Sequence, residues 1–218
     1  MTRKTLVVTI SLLILALFAG AALLYRGLAP SEQHAESIHP VQDSSSLVRF
    51  HSPVVGPATA PVTIVEFFDP SCEACRAFHP YVKQILAENP QNVRLVIRYT
   101  LFHQASEEAA RLLEAARRQE LYLPVMDAIL QAQPQWHDDP SAARAWEAAE
   151  QVGLDVARAR EEMHSPAIDA ILKTDMQDVQ TVGVRGTPTF FVNGQPLREF
   201  GPGPLRALVV QEVARTRD

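Results

Sequence analysis

The sequence predicts an α/β fold with an inserted helical subdomain, preceded by an N-terminal membrane-targeting helix. Residues 6–25 form an uncharged run that is long enough to cross a bilayer as a helix. β-branched and aromatic residues mark strands near 62–68, 93–99 and 189–200, and helix-period patterns lie between them. Residues from about 102 to 165 show helical periodicity, which places a block of helices between the second strand and the last ones.

The N-terminal segment predicts export. Arg3 and Lys4 precede the apolar run, and basic residues at this end favour its retention in the cytoplasm. Ala19-Gly20-Ala21 resembles the small-residue site at which a signal peptide is cleaved, so a removable signal stays open beside an uncleaved anchor. We therefore expect residues 1–27 to be a transmembrane anchor in the cytoplasmic (inner) membrane, or a signal peptide. With either an anchor or a signal peptide, the rest of the chain is expected in the periplasm or extracytoplasmic space.

The rest of the chain predicts a linker and one domain. Residues 28–46 are rich in Pro, Ser, Gln, Glu and His, which is typical of a flexible linker. Residues 47–218 fit a single domain by length. The formal net charge is −5, and the first 26 residues hold cations but no acid, so the domain itself is still more acidic. We therefore expect no nucleic-acid binding.

The first strand signal is Val62–Phe68, an apolar run bounded by prolines. Glu66 interrupts this run, and a buried carboxylate is costly unless it is paired or protonated. A helix is expected to start at Ser71 or Cys72 and to kink at Pro80.

A second strand and a block of helices follow. Residues 93–99 alternate apolar side chains with Arg94 and Arg98, which predicts a strand with one wetter face or edge. Capping residues, two of them followed by proline, predict four helix starts, at Ser106, Asp139, Asp155 and Ser165.

The chain ends with a hairpin and a helix. Thr189–Val192 and residues 195–200 predict two strands, and Asn193-Gly194 between them is typical of a two-residue hairpin turn. The last helix carries apolar residues at helical spacing, namely Leu205, Leu208, Val209 and Val213.

Two cysteines, Cys72 and Cys75, stand three apart directly after the first strand. A structural disulfide between them would close a tiny loop and remove little entropy from the unfolded chain. A zinc site would need His79 and His103 as further ligands, and that spacing matches no common zinc motif. A redox pair explains the position and spacing of the cysteines better than either alternative. A helix N-terminus stabilises a thiolate at Cys72, and Cys75 is close enough to resolve a mixed disulfide.

This arrangement resembles the thioredoxin superfamily, and more closely its exported DsbA-like branch. The resemblance rests on Cys72-Glu73-Ala74-Cys75 after an apolar strand, on Pro80, and on Gly186-Thr187-Pro188-Thr189 before the final hairpin. It implies a thioredoxin-like fold over residues 47–218, with a helical insert at about 102–165.

The resemblance also implies roles for individual residues. Thr187-Pro188 is implied to be a cis-proline loop that packs against the sulfurs and offers backbone hydrogen bonds to an extended peptide; an ordinary trans proline is the alternative. Glu66 is implied to be a buried acid that moves protons to and from the thiols through water, with a raised pKa; the alternative is an exposed glutamate at a sheet edge. His79 either tunes the pair or is exposed beside the helix kink.

The residues between the cysteines depart from the best-known oxidases of the family. Glu73 and Ala74 stand where those proteins have proline and histidine, and Asp69 is close in sequence. Negative charge beside a thiolate raises its pKa. We therefore expect Glu73 and Asp69 to raise the pKa of Cys72 and to make the pair less oxidising than the strongest oxidases.

We expect an exported thiol-disulfide oxidoreductase that exchanges disulfides with cysteine-containing client proteins, foremost as a disulfide oxidase. A reductase or isomerase of the same fold, a redox-inactive binding or chaperone module, and a metal-delivery protein are the alternatives. The resemblance implies a membrane redox partner, which is a quinone-linked oxidase of the DsbB type or, for a reductase, an electron-donating membrane protein. Neither a cofactor nor a resident metal is expected.

Overall fold

The computed structural model of the protein describes residues 44–216. These residues belong to one of the two units into which the chain divides, Ile38–Asp218. The membrane-targeting segment at 1–27 and nearly all of the linker at 28–46 lie outside the described residues and stay predictions. Within the described part of the chain, no helix has the length and apolar character that a membrane span requires.

A five-stranded mixed sheet forms the centre of the domain, in the order β1-β3-β2-β4-β5. Strand β2 runs parallel to β3, and the other neighbouring pairs are antiparallel. In register, Glu66 lies between Ile97 of one neighbouring strand and Phe190 of the other, so it belongs to a central strand and not to an edge. The strands are β1 Val54–Val55, β2 Val62–Phe68, β3 Val93–Tyr99, β4 Thr189–Val192 and β5 Gln195–Pro196.

Helices cover both faces of this sheet. They are α1 Glu73–Glu88, α2 Ser106–Arg118, α3 Tyr122–Ala132, α4 Ala143–Gln151, α5 Val156–Glu162, α6 Pro166–Val182 and α7 Pro202–Arg215, with short 3₁₀ turns at Ser44–Ser46 and Gln133–Gln135. Helices α2 to α5 occupy the range that the sequence assigns to the helical insert, between β3 and β4.

Each face of the sheet carries its own core, because successive side chains of a strand point to opposite faces. The larger core joins one face to α1, α7 and the insert, and its strand residues include Val62, Ile64, Phe68, Leu95, Ile97, Tyr99, Phe190 and Val192. The smaller core covers the other face and consists of Leu47, Val65, Phe67, Val96, Val179, Val184 and Phe191. Burial on both faces explains why β2 is an almost continuous apolar run.

The helix starts in the insert agree with the sequence in part. Asp155 is the N-cap of α5, where its side chain accepts from the backbone N–H of Arg158, and Ser165 is the N-cap of α6. The start predicted at Asp139 is wrong, since α4 begins at Ala143. Residues 139–142 instead form a turn in which the Asp139 carboxylate accepts from the backbone N–H groups of residues 141 and 143.

The final hairpin is shorter than predicted. Asn193 and Gly194 adopt positive φ values of 48° and 81°, as a two-residue hairpin turn requires. The strand expected to reach Phe200 ends at Pro196, although the Leu197 N–H still bonds to the sheet at 2.9 Å. Phe200 leaves the sheet because its ring packs on Phe78 of α1, with 4.5 Å between ring centroids.

The wetter face predicted for β3 is wrong at Arg98, which is fully buried. Its guanidinium bonds to Asp175 at 2.8 Å and Asp178 at 2.6 Å, both from α6, and to the carbonyl of Ser46 at 2.7 Å. These residues, with Arg49 on Asp178 and His51 on Asp175, form what we call the Arg98 cluster. A buried cation is tolerated here because two carboxylates and a carbonyl receive its N–H groups.

Tyr99 connects elements on both faces of the sheet. Its backbone N–H donates to Asp175 Oδ2 of α6 at 2.8 Å. Its hydroxyl donates to Glu114 Oε1 of α2 at 3.0 Å and lies 3.0 Å from the hydroxyl of Tyr122 at the start of α3. One strand residue therefore ties the sheet to α6 and to the helical insert.

Candidate active site

The two cysteines lie where the central strand passes into a helix. Strand β2 ends at Phe68, and α1 begins at Glu73 with Cys72 as its N-cap residue. The turn between them is closed by the Cys72 N–H, which donates to the carbonyl of Asp69 at 3.1 Å. The first backbone N–H groups of a helix have no partner within it, so this junction favours negative charge on the side chain that sits there.

The Cys72 thiol is strongly acidic. The pKa of Cys72 is lowered to about 5, and the hydrogen bond from Cys75 is the largest cause. Burial acts in the opposite direction. Thr187 and the backbone N–H groups of Cys75 and Ala74 also lower this pKa. Both cysteines are free thiols. Cys72 is therefore a thiolate at neutral pH and is able to attack a disulfide.

Cys75 has the opposite character. Its side chain is fully buried, and its sulfur lies 3.5 Å from the backbone N–H nitrogen of Asp69. Burial raises the pKa of the Cys75 thiol well above its usual range, and the bond to Cys72 and the charge of Glu66 act in the same direction. The pair thus consists of one thiolate and one protonated thiol that stabilises it.

Glu66 is buried on the face of β2 that also carries Val62, Ile64 and Phe68, all members of the core that includes both cysteines. Burial raises the pKa of the Glu66 carboxyl to about 8, and the nearby charge of Cys72 adds to the shift. This agrees with the raised pKa expected from the sequence. A carboxyl with such a pKa can both hold and release a proton near neutral pH.

The Thr187-Pro188 peptide bond is cis, as the sequence predicts. Its position follows from the sheet, because the pairing of Phe67 with Thr189 places the start of β4 beside the end of β2. As a result, Cys72 Sγ lies 3.2 Å from the carbonyl oxygen of Thr187. The Thr187 hydroxyl is buried on the same side of the site and acts to lower the pKa of Cys72.

The three residues predicted to tune the pair occupy different surroundings. Glu73 is largely exposed, with its carboxylate 3.9 Å from His137 Nε2. Ala74 acts through its backbone N–H, which lowers the pKa of Cys72. His79 directs its ring to Asp127 of α3, with 2.6 Å between Nε2 and Oδ1. Contact with the insert is thus what the structure shows for His79, and its tuning role stays a prediction.

The pKa of Cys72 is lowered, and neither Glu73 nor Asp69 is among the main causes that act on it, so the effect expected of these two acids does not set its direction. That the pair is less oxidising than the strongest oxidases stays a prediction. The Glu73 side chain faces solvent. The Asp69 carboxylate is buried, but its charge is spread over four hydrogen bonds. The donors are Ser71 N, Phe102 N, His103 Nδ1 and Ser106 Oγ, at 2.9, 2.9, 2.8 and 2.6 Å.

The sequence interpretation missed one residue that supports the site. Gln133 is fully buried, and its side-chain NH₂ donates to the carbonyls of Pro70 at 2.7 Å and Cys72 at 3.1 Å. Its amide oxygen accepts from Arg76 Nε at 3.0 Å. The helical insert therefore holds the turn that carries the cysteines, and the sequence offers only a weak signal, a glutamine beside Pro134.

His103 entered the sequence interpretation only as a conceivable zinc ligand. In the structure it binds Asp69, next to the cysteines. Across residues 44–216, no three or more His, Cys, Asp or Glu side chains are grouped so that they could hold a metal ion.

Comparisons of sequence and of structure with known proteins point to the same fold. The family model described as Thioredoxin matches residues 50–204. A solved thioredoxin-like oxidoreductase from Silicibacter pomeroyi is 29% identical, covers 80% of this chain and 98% of its own, and superposes with a TM-score of 0.69. The structure of a double cysteine-to-alanine variant of alpha-DsbA1 from Wolbachia pipientis superposes with a TM-score of 0.70 at 17% identity, covering 79% of this chain and 96% of its own.

Curated relatives are similar over part of their length. The Na(+)/H(+) antiporter NhaA 3 of Salinispora tropica is 33% identical over 184 residues, which are 83% of this chain and 26% of that protein. This chain thus spans about a quarter of the length of the curated relative that it matches.

Proposed function

Because this chain belongs to the thioredoxin family and its fold is DsbA-like, we propose that it is a thiol-disulfide oxidoreductase. It acts on cysteine-containing client proteins through Cys72 and Cys75. The observation that carries this proposal is the opposite character of the two sulfurs, a thiolate at Cys72 and a buried thiol at Cys75. Disulfide exchange needs this division between an attacking or leaving sulfur and a resolving one.

We propose client oxidation as the direction of the reaction. A client thiolate attacks Sγ of Cys72 in the Cys72–Cys75 disulfide, a mixed disulfide forms, and Cys75 leaves as a thiolate that takes up a proton. A second client thiolate then attacks the client sulfur of the mixed disulfide and releases the Cys72 thiolate. The client loses two electrons and gains a disulfide, and the protein is left with a reduced pair.

The low pKa of Cys72 supports this direction. A stabilised thiolate stabilises the reduced form of the pair, and a stable reduced form makes the disulfide a stronger oxidant. Glu66 is proposed to exchange a proton with Cys75 through water, since the pKa of its carboxyl lies near the pH at which exchange operates. The Thr187 backbone, beside Cys72, is proposed to bind the client as an extended segment.

We further propose that the domain works outside the cytoplasm, at the cytoplasmic membrane. The support is the sequence of residues 1–27, with its basic start and apolar run. A DsbB-type quinone-linked membrane protein would return the reduced pair to the disulfide. If the pair proves reducing, an electron-donating membrane protein takes that place.

The test mixes the oxidised full-length protein with a reduced peptide that carries two cysteines. The proposal expects stoichiometric oxidation of the peptide by the wild type and none by Cys72→Ser, which cannot form the disulfide. Mixed instead with the disulfide form of the peptide, Cys75→Ser should accumulate a mixed disulfide between Cys72 and the peptide, because the thiol that resolves it is missing. Peptide oxidation that survives in Cys72→Ser would overturn the proposal. Equilibration with glutathione buffers then gives the reduction potential of the Cys72–Cys75 pair. A potential below that of the surrounding compartment would favour a reductase or isomerase over an oxidase.

A further inference from the structure

One residue, Asp69, touches both the buried sulfur and a histidine at the surface of the site. Its backbone nitrogen lies 3.5 Å from Cys75 Sγ. Its Oδ2 lies 2.8 Å from Nδ1 of His103, which is a distance typical of a charge-assisted hydrogen bond. The His103 ring is therefore fixed relative to the turn that carries both cysteines.

The loop that carries His103 is held at several points. The N–H of Phe102 donates to Asp69 Oδ2 at 2.9 Å, and the N–H of His103 donates to Ser106 Oγ at 3.0 Å. The Ser106 hydroxyl in turn donates to Asp69 Oδ1 at 2.6 Å. The ring itself is about half exposed, so its protonation can follow the pH of the solvent.

The charged groups that face His103 come from three elements and are all acidic. They are Asp69 after β2, Cys72 at the start of α1 and Asp138 in the loop before α4. Burial acts to lower the pKa of His103, but the bond and charge of Asp69, followed by the charges of Cys72 and Asp138, outweigh it and raise that pKa. The imidazolium form is thus more stable here than in an ordinary histidine.

We propose that His103, oriented by Asp69, supplies a positive charge that stabilises the Cys72 thiolate and so strengthens the pair as an oxidant. The inference rests on the proposed function and adds a residue to it. Coupling between two sites is reciprocal: the thiolate favours the imidazolium, so the imidazolium favours the thiolate by the same free energy. His103 acts on Cys72 across space, and Asp69 is its positioning residue.

The test compares the full-length protein with His103→Gln and with His164→Gln. His164 is an exposed histidine in the turn between α5 and α6, so its variant controls for the same chemical change away from Asp69. Each protein is equilibrated with glutathione at pH 6 and pH 9, and the fraction of the Cys72–Cys75 disulfide is measured. Absorbance at 240 nm during a pH titration reports the Cys72 thiolate.

At pH 6 the disulfide of His103→Gln should be about two- to fivefold more stable relative to glutathione than that of the wild type, a size expected for one partly screened charge near the protein surface. Thiolate formation should shift to higher pH. At pH 9, where imidazole is neutral, wild type and variant should agree within error. His164→Gln should match the wild type at both pH values.

Equal stabilities of the wild-type and His103→Gln disulfides at pH 6 would overturn the inference. A difference that stays the same at pH 9 would also overturn it, because a purely structural role of the ring does not disappear with its charge. His103→Asn provides a second neutral variant if glutamine prevents folding. Failure of the wild type itself to exchange with glutathione would instead refute the proposed function, so the two failures are distinguishable.

Discussion

Cys72 Sγ lies 3.2 Å from the carbonyl oxygen of Thr187, a residue 115 positions later in the chain. The antiparallel pairing of β2 with β4 produces this contact, since it brings the end of one strand beside the start of the other. The sulfur that reacts and the backbone that is proposed to bind the client therefore share one rigid support. The sheet brings the two segments together, and the turn before Cys72 and the cis-proline loop complete their placement.

The first prediction concerns the acidity of Cys72. Alkylation of the reduced protein by iodoacetamide should rise with pH with a midpoint near 5, because the pKa of Cys72 is lowered to about 5, first of all by the hydrogen bond from Cys75. Cys75→Ala removes that bond and should move the midpoint upward. A wild-type midpoint in the ordinary range of thiols, about 8.5, would contradict this assignment.

The second prediction concerns Glu66 and is made for the oxidised protein, which has no thiolate. Burial is the largest cause that raises the pKa of Glu66 from 4.5 to about 8, and it persists in the disulfide form, where the smaller effect of the Cys72 charge is absent. The folded state therefore still holds this proton more tightly than the unfolded state. The contribution to stability is complete below pH 4.5 and is lost as the pH rises through 8. The free energy of unfolding of Glu66→Gln, which cannot ionise, should therefore exceed that of the wild type by up to about 5 kcal/mol above pH 8.

Urea unfolding at pH 5 and pH 8.5 measures this difference. The exposed Glu161→Gln serves as the control, with the same chemical change and no expected effect at either pH. A Glu66→Gln protein that is less stable than the wild type at pH 8.5 would show that the carboxylate is stabilised in the fold.

The third prediction concerns the Arg98 cluster. Arg98→Met leaves Asp175 and Asp178 buried without the cation that lies 2.8 and 2.6 Å from them. The free energy of unfolding should fall by about 3–5 kcal/mol. Arg158→Met breaks an exposed pair with Glu162 and should cost less than about 0.5 kcal/mol. Similar denaturation midpoints for the two variants would refute the strong coupling that we assign to the cluster.

The fourth prediction compares two glycines with positive φ, Gly56 at 105° and Gly153 at 96°. A Cβ atom at Gly56 would lie 2.9 Å from the carbonyl oxygen of Val93, whereas a Cβ at Gly153 meets nothing within 4 Å. Gly153→Ala should cost about 1 kcal/mol from backbone conformation alone. Gly56→Ala should cost about 1–3 kcal/mol more, measured by thermal or urea unfolding. Equal costs would mean that β3 shifts freely to make room.

Local patterns were sufficient for most of the sheet and for the reacting sulfurs. Val62–Phe68 and residues 93–99 were predicted with the bounds that the structure has, because burial on one or both faces leaves a period in the sequence itself. The position of Cys72 at a helix start follows from the strand that precedes it and the helical spacing after it. These features depend on neighbours within a few residues.

The wrong helix start at Asp139 is local, whereas what the sequence interpretation missed near the site and in β3 involves partners that are distant along the chain. Arg98 looks like a surface residue until Asp175, 77 positions away, is placed beside it. Asp69 is visible in the sequence as an acid near Cys72, but the four donors that surround its carboxylate are not. His103 looks like a loop residue for the same reason, since its importance lies in what it touches.

The contacts of Tyr99 mean that the helical insert is not an interchangeable module. Removing the insert or grafting it onto another domain would leave the buried Glu114 carboxyl and Tyr122 hydroxyl without the strand hydroxyl that joins them. The backbone N–H of Tyr99 also donates to Asp175, so disorder on one side of the sheet would weaken a contact on the other side. We therefore expect the sheet, α6 and the insert, which together support the reacting sulfurs, to unfold as a single cooperative unit.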